Sequence, residues 1–135
     1  VDVLRRSIRE LCVKDHRVDP AEIEAWLANK TAESWALWVA HPEADVLVAD
    51  REGLVCGVGM VRSRGEILLN YVSPEARFQG ISTAMLAALE ARAVARGAEA
   101  MQLESTHTAE RFYLARGYVR QDAGDLLRLG KRLVP

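Results

Sequence analysis

The sequence predicts a mixed α/β fold, one sheet with helices packed on its faces. Three observations carry this. The first forty residues place apolar side chains at helical spacing. Residues 44–72 then switch to three short β-rich runs joined by glycine turns. A long Ala/Leu-rich helix follows and opens an α, β, α, β, β alternation.

Residues 2–13 set Val3, Leu4, Ile8, Leu11 and Cys12 on one helical stripe with arginines between them. "DPAEIEAWL" announces a second helix, with Asp19 as cap, Pro20 in the first turn and Glu22 placed to complete a capping box. Ile23, Trp26 and Leu27 would form its buried face. "TAESWALWVAHP" reads as a third, capped by Thr31 and closed before Pro42. "ADVLVAD", "LVCGVGMVRS" and "EILLNYV" are the three strands, with "REG" and "SRG" as hairpin turns. The long helix runs from Ile81 to Arg96 and stops at Gly97, in the position that favours a left-handed cap. Ile81, Met85, Leu86, Ala88, Leu89 and Ala93 should lie on the sheet. "AEAMQLEST" is a strand, "TAERFYLARG" a short helix ended by Gly117, and "YVRQD" and "LLRLGKRL" are the last strands.

With 135 residues the chain suits one domain spanning 1–135. A formal net charge of −1 argues against a general nucleic-acid binder. No apolar run is long enough to span a bilayer, and no secretory leader is visible, so a cytoplasmic protein is expected. Cys12 and Cys56 sit among apolar neighbours and read as reduced core thiols, and no ligand spacing suggests a metal.

The chemistry concentrates at "YVSPEARFQGIST", where a strand passes into the long helix. Amide groups at a helix start lack intrahelical partners, and the helix dipole adds positive potential there. A diphosphate lying on Gln79, Gly80, Ile81, Ser82 and Thr83 would satisfy them, with Arg77 adding a charge-assisted contact. The loop lacks the Gly-Lys-Ser/Thr of a P-loop and the three glycines of a dinucleotide fingerprint. Taken alone, Arg77-x-x-Gly80-x-Ser82 is weak, since a turn glycine before a well-packed helix gives the same pattern.

Two signatures at the right separation make the chain resemble the GNAT superfamily of acetyl-CoA-dependent N-acetyltransferases. The segment "YVSPEARFQGISTAMLAALEARAVARG" is similar to the family's cofactor motif, with Arg77, Gly80 and, imperfectly, Ser82 matching its Arg/Gln-x-x-Gly-x-Gly/Ala loop. "TAERFYLARGY" is similar to the second signature through Ala109, Phe112, Tyr113, Gly117 and Tyr118. The resemblance implies a sheet splayed between the strand 66–72 and the strand 98–106. It implies acetyl-CoA as co-substrate, gripped by the loop Arg77, Phe78, Gln79, Gly80, Ile81, Ser82 and Thr83. Backbone groups of Tyr71 and Val72 would pair with the pantetheine arm, and the Val72 N–H would polarise the thioester carbonyl. Thr106, where many members carry asparagine, would lie at the same gap. Tyr113 would be the general acid that protonates the leaving sulfur. Glu66, six residues before Val72, and Glu104, ending the next strand, are the candidate bases, with a water chain as the third possibility.

The implied partner is an amine, on a small molecule or a protein, attacked while both substrates are bound. A catalytically idle acetyl-CoA-binding sensor is the alternative, and a homodimer is possible. Arg62, Arg64 and Arg77 are candidates for the 3′-phosphate of CoA. Asp15, His16, Trp26, Trp35 and Trp38 fall in the segment that walls the family's acceptor site, although tryptophans at helical spacing more often pack a core. His107 reads as a loop or cap residue. Family members usually begin with a strand that is not found here, so "VLVAD" is expected either to face missing residues or to present an open edge.

Overall fold

The computed structural model describes residues 1–12, 16–76, 79–121 and 127–133. Helices α1 (Asp2–Leu11), α2 (Pro20–Leu27) and α3 (Ala32–Ala40) come first. Strands β1 (Ala44–Arg51), β2 (Leu54–Arg62) and β3 (Glu66–Val72) follow, then a 3-10 turn at Pro74–Ala76. Helix α4 (Ile81–Ala95), β4 (Ala100–Glu104), helix α5 (Glu110–Leu114), β5 (Val119–Gln121) and β6 (Arg128–Arg132) complete the order. The predicted order of elements and the mixed α/β class are therefore observed. Asp122 and Leu126, expected in the last two strands, lie outside the described residues.

The six strands form one sheet in the order β1-β2-β3-β4-β6-β5, with β1 at an edge. All pairings are antiparallel except β3 with β4. The hairpin turns follow from glycine placement. Glu52 and Gly53 both have positive φ, the requirement of a two-residue turn that matches strand twist. Gly65, at φ +88, closes the β2–β3 turn, and its carbonyl accepts from the Gln102 N–H at 2.9 Å. This bond docks the turn on β4. A Cβ at Gly65 would run into the Ala100 carbonyl oxygen. Gly65→Ala is expected to destabilise the protein by at least about 2 kcal/mol, since the left-handed backbone alone costs an alanine roughly 1–2 kcal/mol. An unchanged denaturation midpoint would contradict this.

Two apolar layers sandwich the sheet. On one face, Met85, Leu86, Leu89 and Ala93 of α4 pack on Val61, Ile67, Met101, Leu103 and Leu129. On the other, Val3, Leu4 and Ile8 of α1 and Leu27 of α2 pack on Val58, Met60 and Leu69. Ala88 is exposed and leaves the predicted stripe, because its position turns it away from the sheet. In α2 only Leu27 is buried, with Ile23 and Trp26 half-buried beside it.

Helix ends behave as their residues dictate. Asp19 Oδ1 accepts from the Ala21 N–H at 2.9 Å, and Thr31 Oγ1 from the Ser34 N–H at 3.2 Å. No return bond from Glu22 closes the expected capping box among the described residues. Gly97, at φ +88, turns the chain after α4, and the Ala98 N–H reaches back to the Ala93 carbonyl at 3.0 Å. Asp45 anchors the other side of that helix end. Hydrogen bonds from Arg96 and Arg92 hold its carboxyl below the usual carboxylate range, against the opposing effect of burial.

Candidate active site

Strands β3 and β4 pair at two positions only, Glu66 with Gln102 and Ile67 with Leu103. Their parting has a local cause. Across β2, Val61 faces Ile67 and Met60 faces Leu69, so Leu68 is an extra residue in β3. Such a bulge bends a strand and increases its twist. Just past it β3 leaves β4, and a cavity of about 510 Å³ opens between them.

The bulge also resets which face each β3 side chain takes. Leu69 and Tyr71 join the layer under α1. Asn70 and Val72, opposite Gly59 and Gly57, face α4 and α5. The Ser73 N–H bonds the Cys56 carbonyl at 2.8 Å. Strand alternation then turns the peptide groups of Tyr71 toward β2 and those of Asn70 and Val72 toward the gap. The structure thus points the Val72 N–H into the gap. It does not do so for the Tyr71 backbone, although the Tyr71 side chain lines the cavity.

Helix α4 begins at the mouth of this gap. Gly80 precedes it at φ +79, and no side chain caps it. Its first intrahelical bond runs from the Ala84 N–H to the Gly80 carbonyl at 3.1 Å, so the N–H groups of Ile81, Ser82 and Thr83 have no partner within the helix. Gly80, Ile81, Ser82 and Thr83 all line the cavity. Gln79 stands outside it, exposed, donating to the Glu75 carbonyl at 3.2 Å and accepting from Arg51. Arg77 and Phe78 lie outside the described residues.

Tyr113 projects from α5 into the same cavity and is 6% exposed. Asn70 Nδ2 donates to its hydroxyl oxygen at 3.3 Å. Burial pushes the phenol up to about 12, with the Asn70 bond pulling the other way. The hydroxyl therefore keeps its proton at neutral pH and is free to donate it. Thr106 Oγ1 accepts from the Ala109 N–H at 3.1 Å, holding the turn into α5, and also lines the cavity.

The two candidate carboxylates part company. Glu104 lines the cavity. It alternates with buried Leu103, so it stands on the opposite face of β4 from Tyr113's layer. Glu66 is not brought to the gap. It sits at the paired end of β3, 3.4 Å from Arg62, in a second depression shared with His41, Arg64 and Gln102. Six strand residues put it roughly 20 Å from Val72, and the bulge reverses the face that an even spacing would have kept. Arg62 and Arg64 belong to that far end too, away from Gly80.

The expected acceptor wall also changes. His16 is buried, its Nδ1 accepting from the Val18 N–H at 2.9 Å and its Nε2 2.8 Å from the Ile8 carbonyl. Trp26, Trp35 and Trp38 pack on the α1 layer. Asp15 lies outside the described residues, and His107 is exposed in the turn before α5. Ser7 and Leu11 of α1 and Cys12 just after it line the cavity instead. Sequence reasoning also missed Arg116 and Asn70. Arg116 donates to Thr83 Oγ1 at 2.9 and 3.2 Å and to the Phe112 carbonyl at 2.8 Å, and lies over the Phe112 ring. Its only sequence signal was one charge before Gly117; for Asn70 it was one amide in the apolar run "EILLNYV".

A family profile described as "Acetyltransferase (GNAT) domain" matches residues 14–135. The chain belongs to the GNAT acetyltransferase family. No curated protein matches it in sequence. Among solved structures it is similar to a GCN5-related N-acetyltransferase from Rhodopseudomonas palustris, at 25% identity and a TM-score of 0.84, over 97% of this chain and 86% of that one. It also shares its fold with the PaiA N-acetyltransferase of Thermoplasma acidophilum, solved with coenzyme A, at 18% identity and a TM-score of 0.86, over 97% and 89%. An aminoglycoside 6′-N-acetyltransferase, also solved with coenzyme A, aligns at 14% identity and a TM-score of 0.65, over 99% and 91%. GNAT acetyltransferases use acetyl-CoA, and this chain is an acyltransferase of that kind. Its own residues fit that co-substrate: a helix start whose first amides have no partner within the helix lies beside a gap toward which β3 turns the Asn70 and Val72 peptides. Among the described residues no helix is long and apolar enough to cross a membrane.

Proposed function

We propose that this GNAT protein transfers the acetyl group of acetyl-CoA to a primary amine of a small molecule or protein, by direct attack while both are bound. The observation that carries this is the convergence, on one cavity, of the bare α4 start, the Val72 peptide and a protonated Tyr113. Acetyl-CoA supplies, when bound, an acyl group already activated as a thioester.

The residues divide the work by position. Amides of Ile81, Ser82 and Thr83 hold the diphosphate, with Gly80 allowing close approach. Gln79 buttresses this helix start by donating to the Glu75 carbonyl, and Arg77 and Phe78 keep the cofactor contacts that the resemblance gives them. The Val72 N–H donates to the thioester carbonyl oxygen as negative charge grows there. Tyr113 gives its proton to the departing sulfur. Glu104, on the other face of the gap, takes a proton from the incoming amine. Ser7, Leu11, Cys12 and Tyr71 form the wall on that side.

Glu104→Gln is expected to lower kcat/KM at neutral pH by roughly a hundredfold. The deficit should shrink as pH rises, because the amine then loses its proton to bulk water unaided. No deficit at any pH would remove Glu104 and leave the proton to solvent.

The overall reading is tested by thiol release from acetyl-CoA across a panel of amines. Amine-dependent release is expected. Tight CoA binding without release for any amine would instead support a sensor.

A further inference from the structure

We propose that Asn70 is a positioning residue for the proton donor, holding the Tyr113 hydroxyl so that its proton points into the gap and steadying the oxygen once that proton has gone. This rests on the assignment of Tyr113 as general acid. Three observations lead to it. Asn70 interrupts an apolar strand. It lies just past the bulge, on the face that Tyr113 occupies, and donates through Nδ2 to the phenol oxygen at 3.3 Å. Its Oδ1 is buried with no hydrogen-bond partner among the described residues.

The last point argues against a packing role. A buried amide with an unsatisfied oxygen is less favourable than an aliphatic side chain of the same size. A leucine would fill the position beside Tyr113, on the face that Ile67 shares, without that penalty. What leucine cannot do is donate a hydrogen bond. Because Nδ2 occupies the phenol oxygen as donor, the O–H is not consumed by Asn70 and remains available. In the transfer step the O–H bond breaks, the proton goes to the thiolate sulfur, and the electron pair stays on the phenol oxygen. The Asn70 N–H then faces a phenolate and forms a charge-assisted bond, stronger than the one it replaces. That bond opposes the effect of burial, which is the direction in which Asn70 acts on the Tyr113 pKa.

The test is a double-mutant cycle with a readout in the free protein. Asn70→Leu should lower kcat by about ten- to a hundredfold, leave CoA affinity unchanged and leave the thermal midpoint equal or higher. In the Tyr113→Phe background the same change should have no further effect on kcat, because its partner hydroxyl is already absent. In isotope-labelled free protein, Asn70→Leu should also move the Cζ resonance of Tyr113. Asn70→Asp supplies an acceptor in place of a donor, captures the phenol proton and should lower turnover as well; it carries the test if the leucine variant does not fold. Additive losses in the double mutant, full turnover in Asn70→Asp, or an unmoved Tyr113 resonance would each overturn the proposal. Unimpaired turnover in Tyr113→Phe alone would remove the acid assignment itself, a separate failure with its own signature.

Discussion

Tyr113→Phe is expected to lower kcat by roughly a hundredfold to ten-thousandfold, while the affinity for CoA should stay at the parent value. The two parameters separate because the hydroxyl's proton matters only as the sulfur leaves, whereas the ring contributes to packing in both proteins. Tyr113 is buried and rests edge-on against Phe112 and Tyr118, so removing its oxygen leaves the surrounding layer filled. The pH dependence has a definite sign. Burial favours the neutral phenol and pushes it up to about 12. The acid is therefore protonated throughout the neutral range and is lost only as pH rises through that value. The kcat profile should then show no basic decline from this group at any pH where the protein remains folded. Parental turnover in the phenylalanine variant would take Tyr113 out of the mechanism.

Gly80→Val is expected to weaken CoA binding by roughly a hundredfold or more, since losing even one hydrogen bond to a charged group costs roughly 1.5–3 kcal/mol. Two effects combine. At φ +79 a β-branched residue is strained, so the peptides that aim the following amides would shift. The isopropyl group would also occupy the approach to those amides. A Cβ at this site meets nothing within 4 Å, so the fold itself has room for the change. The loss should therefore appear in CoA titrations before it appears in the thermal midpoint. Unchanged affinity would refute the role given to this loop.

The architecture was readable because it rests on local chemistry. Asp19 and Thr31 before helical runs, Gly97 after one, and glycines in the hairpins each state a backbone requirement in a single residue. The loop at the α4 start was weak as local chemistry, with Gly80 before the helix its one clear mark, and it was singled out by resemblance to the family's motif. What could not be read was anything set by long-range register. The bulge at Leu68 leaves no mark in "EILLNYV", yet it decides that Glu66 and Val72 lie on opposite faces and that Asn70 meets Tyr113. Resemblance to a family spacing made Glu66 a candidate; it lies instead at the paired end of β3, and the extra residue also turns it to the face opposite Val72. The acceptor wall was obscured similarly. Helical spacing marks Trp26, Trp35 and Trp38 as apolar without saying which layer they fill, and small residues such as Ser7 and Cys12 carry no signal until α1 is seated over the cavity.

Amide-resolved NMR of the free protein titrated with CoA addresses the heart of the account. The resonances of Val72, Ile81, Ser82 and Thr83 should move together and saturate together, with those of the far depression around Arg62 and Gln102 unmoved. Saturable binding that leaves those four amides in place while others shift would contradict the account.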